Sequence, residues 1–233
     1  MIKNLSISVC VPAFNEENNL KESVEDLVKT LSSYVQKIEV IIVNDGSADS
    51  TLELAELIAQ EYSEVKVVNH RRRLGIGACY HDALAVAKGD YFTWFPADHE
   101  NSVKEFIQCL PYLTNCTIVT CHHLGKDPRS VWRRCVSRSF TYILNIFFRL
   151  NIKYYNGLTV FPISIMRSLS LVADGFLFTA ENLIKAIKQG YPVIELSVPL
   201  EKRKGGRSKI FTIFSLVQTI RDIFSILSHK DKV

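Results

Sequence analysis

The chain has 233 residues, 47% of them hydrophobic and 22% charged, which fits one large domain, or one domain with an appendage, around a sizeable core. Its six cysteines contain no Cys-x-x-Cys and no His cluster at zinc spacing accompanies them, so they read as reduced thiols of a cytoplasmic protein. The N-terminal MIKNLSISVCVPAFNEE has too short an apolar core for a signal peptide.

Net charge is +4, but it divides unevenly. Residues 1–120 hold 10 Lys+Arg and 17 Asp+Glu, a net −7, and residues 121–233 hold 18 and 7, a net +11. A basic half favours an anionic partner: phosphates or an anionic membrane surface. No zinc finger, RNA-binding signature or aromatic-rich basic strand supports nucleic acid.

The first half alternates short apolar runs with helical spacing. ISVCV (7–11) reads as a buried strand, and residues 16–31 follow as a helix with apolar Leu20, Val24, Leu27, Val28 and Leu31. VIIV (40–43) is a second strand, then a helix over 51–59 with Asp49 or Ser50 as candidate cap. VKVV (65–68) precedes a helix over 75–87, YFTWF (91–95) a helix over 102–110, and TIVT (117–120) is a fifth strand. This order predicts a mostly parallel sheet covered on both faces, an α/β fold whose ligands bind beyond the carboxyl ends of the strands. No internal repeat or low-complexity segment interrupts it.

The second half differs. Residues 129–150 form a long apolar-basic stretch containing Arg129, Arg133, Arg134, Arg138 and Arg149. Residues 209–228 form another, with Phe211, Phe214, Val217, Ile220, Phe224 and Leu227 at helical spacing. Both fall short of a spanning helix, so each reads as an amphipathic helix lying on a membrane or packing on the domain. The expected organisation is 1–121, 122–208 and a C-terminal amphipathic helix, 209–233.

Four strand ends carry polar side chains. After the first strand comes Pro12-Ala13-Phe14-Asn15-Glu16-Glu17, where Pro12 ends the ladder and Asn15 can cap the next helix. After the second comes Asn44-Asp45-Gly46-Ser47, with Asp45 at the strand tip where it can meet a nucleoside base or ribose. After the third, Gly75-Ile76-Gly77 opens a helix and can approach a diphosphate. After the fourth comes Pro96-Ala97-Asp98-His99-Glu100, whose carboxylates can hold Mg²⁺ or Mn²⁺ alongside substrate phosphates.

With these motifs together, VPAFNEENNL, VNDGSADST, RLGIGACYHDALAVAKGDY and WFPADHEN, the chain resembles a family 2 glycosyltransferase of the GT-A fold over about its first 120 residues. The resemblance implies a Rossmann-like sheet, a nucleoside-diphosphate sugar donor, a divalent metal (Mg²⁺ or Mn²⁺) and inversion at the anomeric carbon. It places Pro12, Phe14 and Glu16 beside the nucleoside and Asp45 on the base, with Gly75 and Gly77 on the donor. Asp98 becomes a metal and diphosphate ligand, and Glu100 a second metal-side position. Two departures stand out: Asn44 and Pro96 each replace the first Asp of a motif.

The second half resembles the polyprenyl-phosphate sugar synthases. The cues are the Arg-rich stretch, the Asn156-Gly157 turn, FLFTAENLIKAIKQGY, and Arg203-x-x-Gly206-x-Ser208-Lys209. Lys153 departs from the Asp of many relatives. The resemblance implies that Arg203 and Lys209 close on the donor diphosphate. It implies too that Arg129, Arg133, Arg134, Arg138 and Ser208 hold a polyprenyl phosphate at the cytoplasmic membrane face. An anionic acceptor oxygen needs no base, whereas a hydroxyl acceptor does, and Glu181 at the start of a helix over 180–189 is the candidate. Asp98, Arg203 and Glu181 are thus the expected catalytic set, and Phe147, Phe148, Phe211 and Phe214 the expected membrane contacts. Two other readings compete: transfer to a saccharide hydroxyl, and a non-catalytic nucleotide-sugar binding protein with a metal site weakened by Pro96. A nucleotidyltransferase is disfavoured, because PAFNEEN is acidic where that class carries a basic Gly-rich loop.

Overall fold

The computed structural model describes residues 3–97, 103–124, 131–173, 175 and 177–199. Asp98, Glu100, Arg129, Arg203, Ser208, Lys209 and the stretch 209–233 lie outside the described residues.

The described residues form seven strands and seven α-helices. They are β1 (Lys3–Ala13), α1 (Leu20–Leu31), β2 (Val35–Asp45), α2 (Thr51–Glu61), β3 (Val65–His70), α3 (Ile76–Val86) and β4 (Tyr91–Trp94). Then come α4 (Val103–Cys109), a 3₁₀ turn (Leu110–Tyr112), β5 (Ile118–Leu124), α5 (Val131–Phe148), β6 (Thr159–Pro162), α6 (Ile163–Ser168), α7 (Phe178–Lys188) and β7 (Val193–Pro199). One sheet joins all seven strands in the order β3-β2-β1-β4-β6-β5-β7. β1, β2, β3 and β4 are mutually parallel, β6 runs antiparallel to β4 and β5, and β5 and β7 are parallel.

The central strands of the sheet are buried on both faces, which is why they read as continuous apolar runs. One face carries Ile7, Val9, Val11, Val40 and Ile42 and packs on α1 residues Leu20, Val24, Leu27 and Leu31. The other carries Ile41, Val43, Phe92 and Trp94 and packs on Tyr80 and Ala83 of α3 and Phe178 and Leu183 of α7. On this face Tyr80, Phe92, Trp94 and Phe178 form edge-on and tilted ring contacts with centroids 4.8–5.4 Å apart.

Two expectations need correction here. Pro12 does not end β1: it stays paired with Val43 of β2, and Ala13 continues the pairing. Only the β4 side of the ladder stops, at Phe95 N–H to Cys10 O (2.8 Å), so the missing N–H falls where no partner strand remains. The helix expected from residue 16 begins at Leu20, with Asn19 at its N-cap position. Asn15 takes a left-handed φ of 54° and does not cap it.

Candidate active site

The strand order reverses at β1, whose neighbours are β2 on one side and β4 on the other. In open α/β sheets that switch point leaves a crevice beyond the carboxyl ends of the strands. The segments there are 13–19, 45–50, 71–75 and 95–97, the four predicted from the sequence.

Three of these loops are fastened together. Asn15 N–H donates to Ser47 Oγ (3.0 Å), and Ala48 N–H donates to Asn15 Oδ1 (2.9 Å). Glu16 N–H donates to Thr51 Oγ1 (2.9 Å), and Ser50 N–H donates to Glu17 Oε2 (3.0 Å). Asp49 Oδ1 accepts Thr51 N–H (3.1 Å), so Asp49 supplies the side-chain cap of α2 while Ser50 occupies its N-cap position without one. The third loop joins through Arg73, whose guanidinium carbon lies 4.2 Å from the centre of the Phe14 ring. Gly46 has φ 67°, and a Cβ there would meet the backbone of Arg72 and Arg73 at 2.6–2.8 Å. Only glycine suits that conformation together with that approach.

Asp45 does not project from the strand tip as expected. It is buried at the junction of the loops. Oδ1 accepts Leu74 N–H (2.8 Å) and Oδ2 accepts Gly75 N–H (3.0 Å). His70 Nδ1 lies 2.9 Å from Oδ1, and His70 Nε2 lies 2.9 Å from Asp82 Oδ2. Cys79 also borders Asp45; burial, then the Asp45 charge, pushes its thiol well up. Asp45, His70 and Cys79 thus each place one ligand-type atom within 4.8 Å of the others. Asn44, in place of an acid, is buried and donates from Nδ2 to Asn69 Oδ1 (2.8 Å).

Of the other expected donor residues, Pro12, Phe14 and Glu16 are half-buried at the end of β1. Gly75 stands at the N-cap position of α3 with φ 109°, and Gly77 is buried in its first turn. At the end of β4, Ala97 O accepts Ser23 Oγ–H (2.7 Å), tying the approach to Asp98 onto α1.

On the other side of β4 the sheet continues through β6, β5 and β7. Gly157 leads into β6, and a Cβ there would overlap Cys121 O. Thr179 Oγ1–H donates to Asn156 Oδ1 (2.9 Å), joining that turn to α7. His122 on β5 shares a 2.9 Å hydrogen bond with Ser197 Oγ of β7. Burial, then the nearby Lys153 charge, lowers the His122 pKa. Its Nδ1 and Trp94 Nε1 are buried polar atoms without a hydrogen-bond partner among the described residues. Sequence reasoning singled out neither; an aromatic at a strand end and a His inside an apolar strand look like core.

Glu181 is fully buried in the first turn of α7. Its carboxylate accepts Val172 N–H (3.0 and 3.1 Å) and Ala173 N–H (2.8 Å), and pairs with Lys185 Nζ at 2.7 Å. It is therefore fastened to backbone and to its own helix.

On α5, Arg138 is exposed and Arg134 half-buried, and Arg133 lies in the same first turns. The outer side presents Trp132 (78% exposed), Tyr142, Ile143, Ile146 and Phe147. Phe148, expected on that side, is in the core at 3% exposure beside Leu144. The helix ends at Arg149 (φ 53°), and Asn145 clamps the return by exchanging hydrogen bonds with Ile152 N–H and C=O (3.1 and 2.8 Å). Among the described residues no helix is long and apolar enough to cross a membrane.

The model of the Glycosyl transferase family 2 matches residues 8–175, which contain all four strand-end motifs. The chain belongs to glycosyltransferase family 2. Among the relatives of this family member is Glycosyltransferase AglD of Haloferax volcanii, 24% identical over 237 residues, covering 97% of this chain and 36% of the relative. Another is an uncharacterized glycosyltransferase of Rickettsia typhi, 30% identical over 128 residues, covering 53% of this chain and 38% of that one. The chain thus spans somewhat over a third of the length of these relatives. Solved glucosyl-3-phosphoglycerate synthase structures from Mycobacterium tuberculosis share the GT-A fold. The complex with phosphoglyceric acid superposes at TM-score 0.70 with 22% identity, covering 96% of this chain and 79% of that one. The complex with Mg²⁺ and uridine diphosphate does so at 0.68 with 21% identity and the same coverage.

Proposed function

We propose that this chain is an inverting glycosyltransferase that moves a sugar from a nucleoside-diphosphate sugar to a polyprenyl phosphate at an anionic membrane surface. The observation that carries the donor half is the fastened loop set at the β1/β4 switch point, built from the family motifs. Phe14 and Glu16 border the nucleoside, and Asp45 shapes its pocket by holding Leu74 and Gly75 in place. The α3 N-terminus, opened by Gly75 and Gly77, favours the diphosphate. Asp98 and Glu100 supply the oxygen ligands that Mg²⁺ or Mn²⁺ prefers, whereas the Asp-His-Cys cluster does not suit those hard ions. A bound metal there would neutralise charge developing on the leaving diphosphate. Structures of the Mycobacterium tuberculosis synthase with Mn²⁺ and uridine-diphosphate-glucose support a donor and metal of this type. Arg203 and Lys209 add cations at the same oxygens.

For the acceptor, Arg129, Arg133, Arg134, Arg138 and Ser208 hold a phosphate. The exposed apolar-basic side of α5 supports a lipid carrier for it. A phosphate oxygen is already anionic, so the sugar can be attacked without a base. The engagement of Glu181 by two backbone N–H groups and Lys185 agrees with that reading.

A second reading is transfer to the hydroxyl of a small phosphorylated acid, because the neighbouring synthase is described with phosphoglyceric acid. A donor panel (GDP-mannose, UDP-glucose, UDP-N-acetylglucosamine) against polyprenyl phosphate, 3-phosphoglycerate and simple saccharides, with Mg²⁺, Mn²⁺ or EDTA, decides among these. Glycolipid formed from one donor, lost with EDTA and with Asp98→Ala, is the expected result. Product only on phosphoglycerate or a saccharide overturns the lipid acceptor. No transfer or donor hydrolysis under any condition overturns the enzyme.

A further inference from the structure

The cluster beneath the donor loops has the composition of a different kind of metal site. Asp45, His70 and Cys79 are buried, and their ligand-type atoms lie within 4.8 Å of one another. They come from β2, the end of β3 and α3, so no sequence spacing announces them. The surroundings are already arranged as an outer shell. A metal-ligating His ordinarily gives its second N–H to a carboxylate, and a ligating carboxylate is itself hydrogen-bonded. Here His70 Nε2 faces Asp82 Oδ2 at 2.9 Å, and Asp45 accepts Leu74 and Gly75 N–H. The Asp82 side chain is 51% exposed, so this outer carboxylate reaches solvent while the three ligand residues are buried.

We propose that Asp45, His70 and Cys79 bind a borderline divalent cation of the Zn²⁺ class, with Asp82 orienting the imidazole. Thiolate, imidazole and carboxylate form a zinc-type donor set, and three protein ligands leave a fourth position for water or an added ligand. On binding, the ion takes one Asp45 oxygen, His70 Nδ1 and Cys79 Sγ. The thiol proton and the proton held between His70 Nδ1 and Asp45 Oδ1 pass to solvent, leaving His70 with its proton on Nε2, donated to Asp82. The His70–Asp45 hydrogen bond is replaced by a bond from each residue to the ion. Bond lengths of about 2.0–2.3 Å set tetrahedral ligand spacings near 3.3–3.6 Å, so the 2.9 Å His70–Asp45 pair opens by a few tenths of an ångström while any separation nearer the 4.8 Å limit closes. Asp98 and Glu100 take no part, and the site shares only Asp45 with the donor reading.

The test uses the full chain without any nucleotide sugar, so its failure is distinct from failure of the transferase reading. After EDTA treatment and desalting, Zn²⁺ is titrated calorimetrically and Co²⁺ by absorption. The expected result is one equivalent bound, with a thiolate-to-cobalt charge-transfer band in the near-ultraviolet. Cys79→Ser abolishes the band, and Asp82→Ala keeps it but weakens affinity about 10–100-fold. Zn²⁺ raises the Tm of the parent and not of Cys79→Ser. His70→Gln, checked for folding by circular dichroism, is a second ligand variant if Cys79→Ser does not fold. Absence of stoichiometric binding overturns the proposal, as does binding undiminished in the ligand variants.

Discussion

Replacing Asp45 with Asn tests the central claim about the loop junction. The substitution preserves shape but leaves one acceptor oxygen where the carboxylate has two. Oδ1 serves Leu74 N–H and His70, and Oδ2 serves Gly75 N–H. Whichever way the amide turns, its NH₂ faces a backbone N–H, donor against donor. An N–H stripped of its acceptor costs about 1–3 kcal/mol, and the surviving bond loses its charge assistance, so the total is roughly 2–4 kcal/mol. For a domain of this size, each kcal/mol lowers Tm by about 2–4 °C, which gives a fall of roughly 5–15 °C. Scanning calorimetry and urea unfolding at unchanged m measure it. Amide exchange should also accelerate at Leu74 and Gly75. A Tm within about 2 °C of the parent with unchanged exchange would refute the view of Asp45 as the anchor of the 71–75 loop, since a solvent-facing carboxylate tolerates the change at that level.

Gly46→Ala should lose about 1–3 kcal/mol, because the left-handed φ and the approach to Arg72 and Arg73 both oppose a Cβ; a urea midpoint equal to the parent's counts against it. Glu181→Gln leaves the buried Lys185 without its counter-charge and should cost about 3–5 kcal/mol, partly recovered by Lys185→Met in the same chain; a stable, fully folded single variant contradicts this. At Glu39, burial raises the carboxyl pKa, but bonds from Lys66, Ser8 Oγ–H and Lys88 N–H outweigh it and leave the pKa below the ordinary range. Its stabilisation is therefore complete above the ordinary glutamate pKa and disappears as pH falls through the depressed folded value. Glu39→Gln should flatten that part of the acid limb in Tm against pH, and an unaltered limb refutes the assignment. Trp132→Ala with Phe147→Ala should weaken binding to anionic liposomes several-fold with Tm held within about 2 °C, since both side chains are exposed; undiminished binding removes α5 from the membrane contact.

The parallel core was legible because buried strands advertise themselves as apolar runs. β1 and β2 proved longer than those runs, since their first residues are polar: Asn4 and Ser6 in one, Gln36 and Lys37 in the other. β6 and β7 were not read at all. β6 has four residues, and β7 is an edge strand in which Glu195 and Ser197 interrupt the apolar run. The strand-end motifs marked where the crevice lies, but not what their side chains do there. Asp45 looked like a ligand-facing acid because its partners His70 and Gly75 stand 25 and 30 residues away. Glu181 showed its helix-start position plainly and concealed its bonds to Val172 and Ala173, which depend on how the preceding segment folds back.

The lacing between the loop after β1 and the loop after β2 has a consequence for how such a site can be altered. Asn15, Glu16 and Glu17 complete the hydrogen bonding of Ser47, Ala48, Ser50 and Thr51, so neither loop has an independent shape. Substitutions in one will be non-additive with those in the other. A chimera that imports the Asn44–Thr51 stretch from another enzyme inherits half of a clasp. Regrafting either loop in this scaffold therefore means exchanging both as a matched pair.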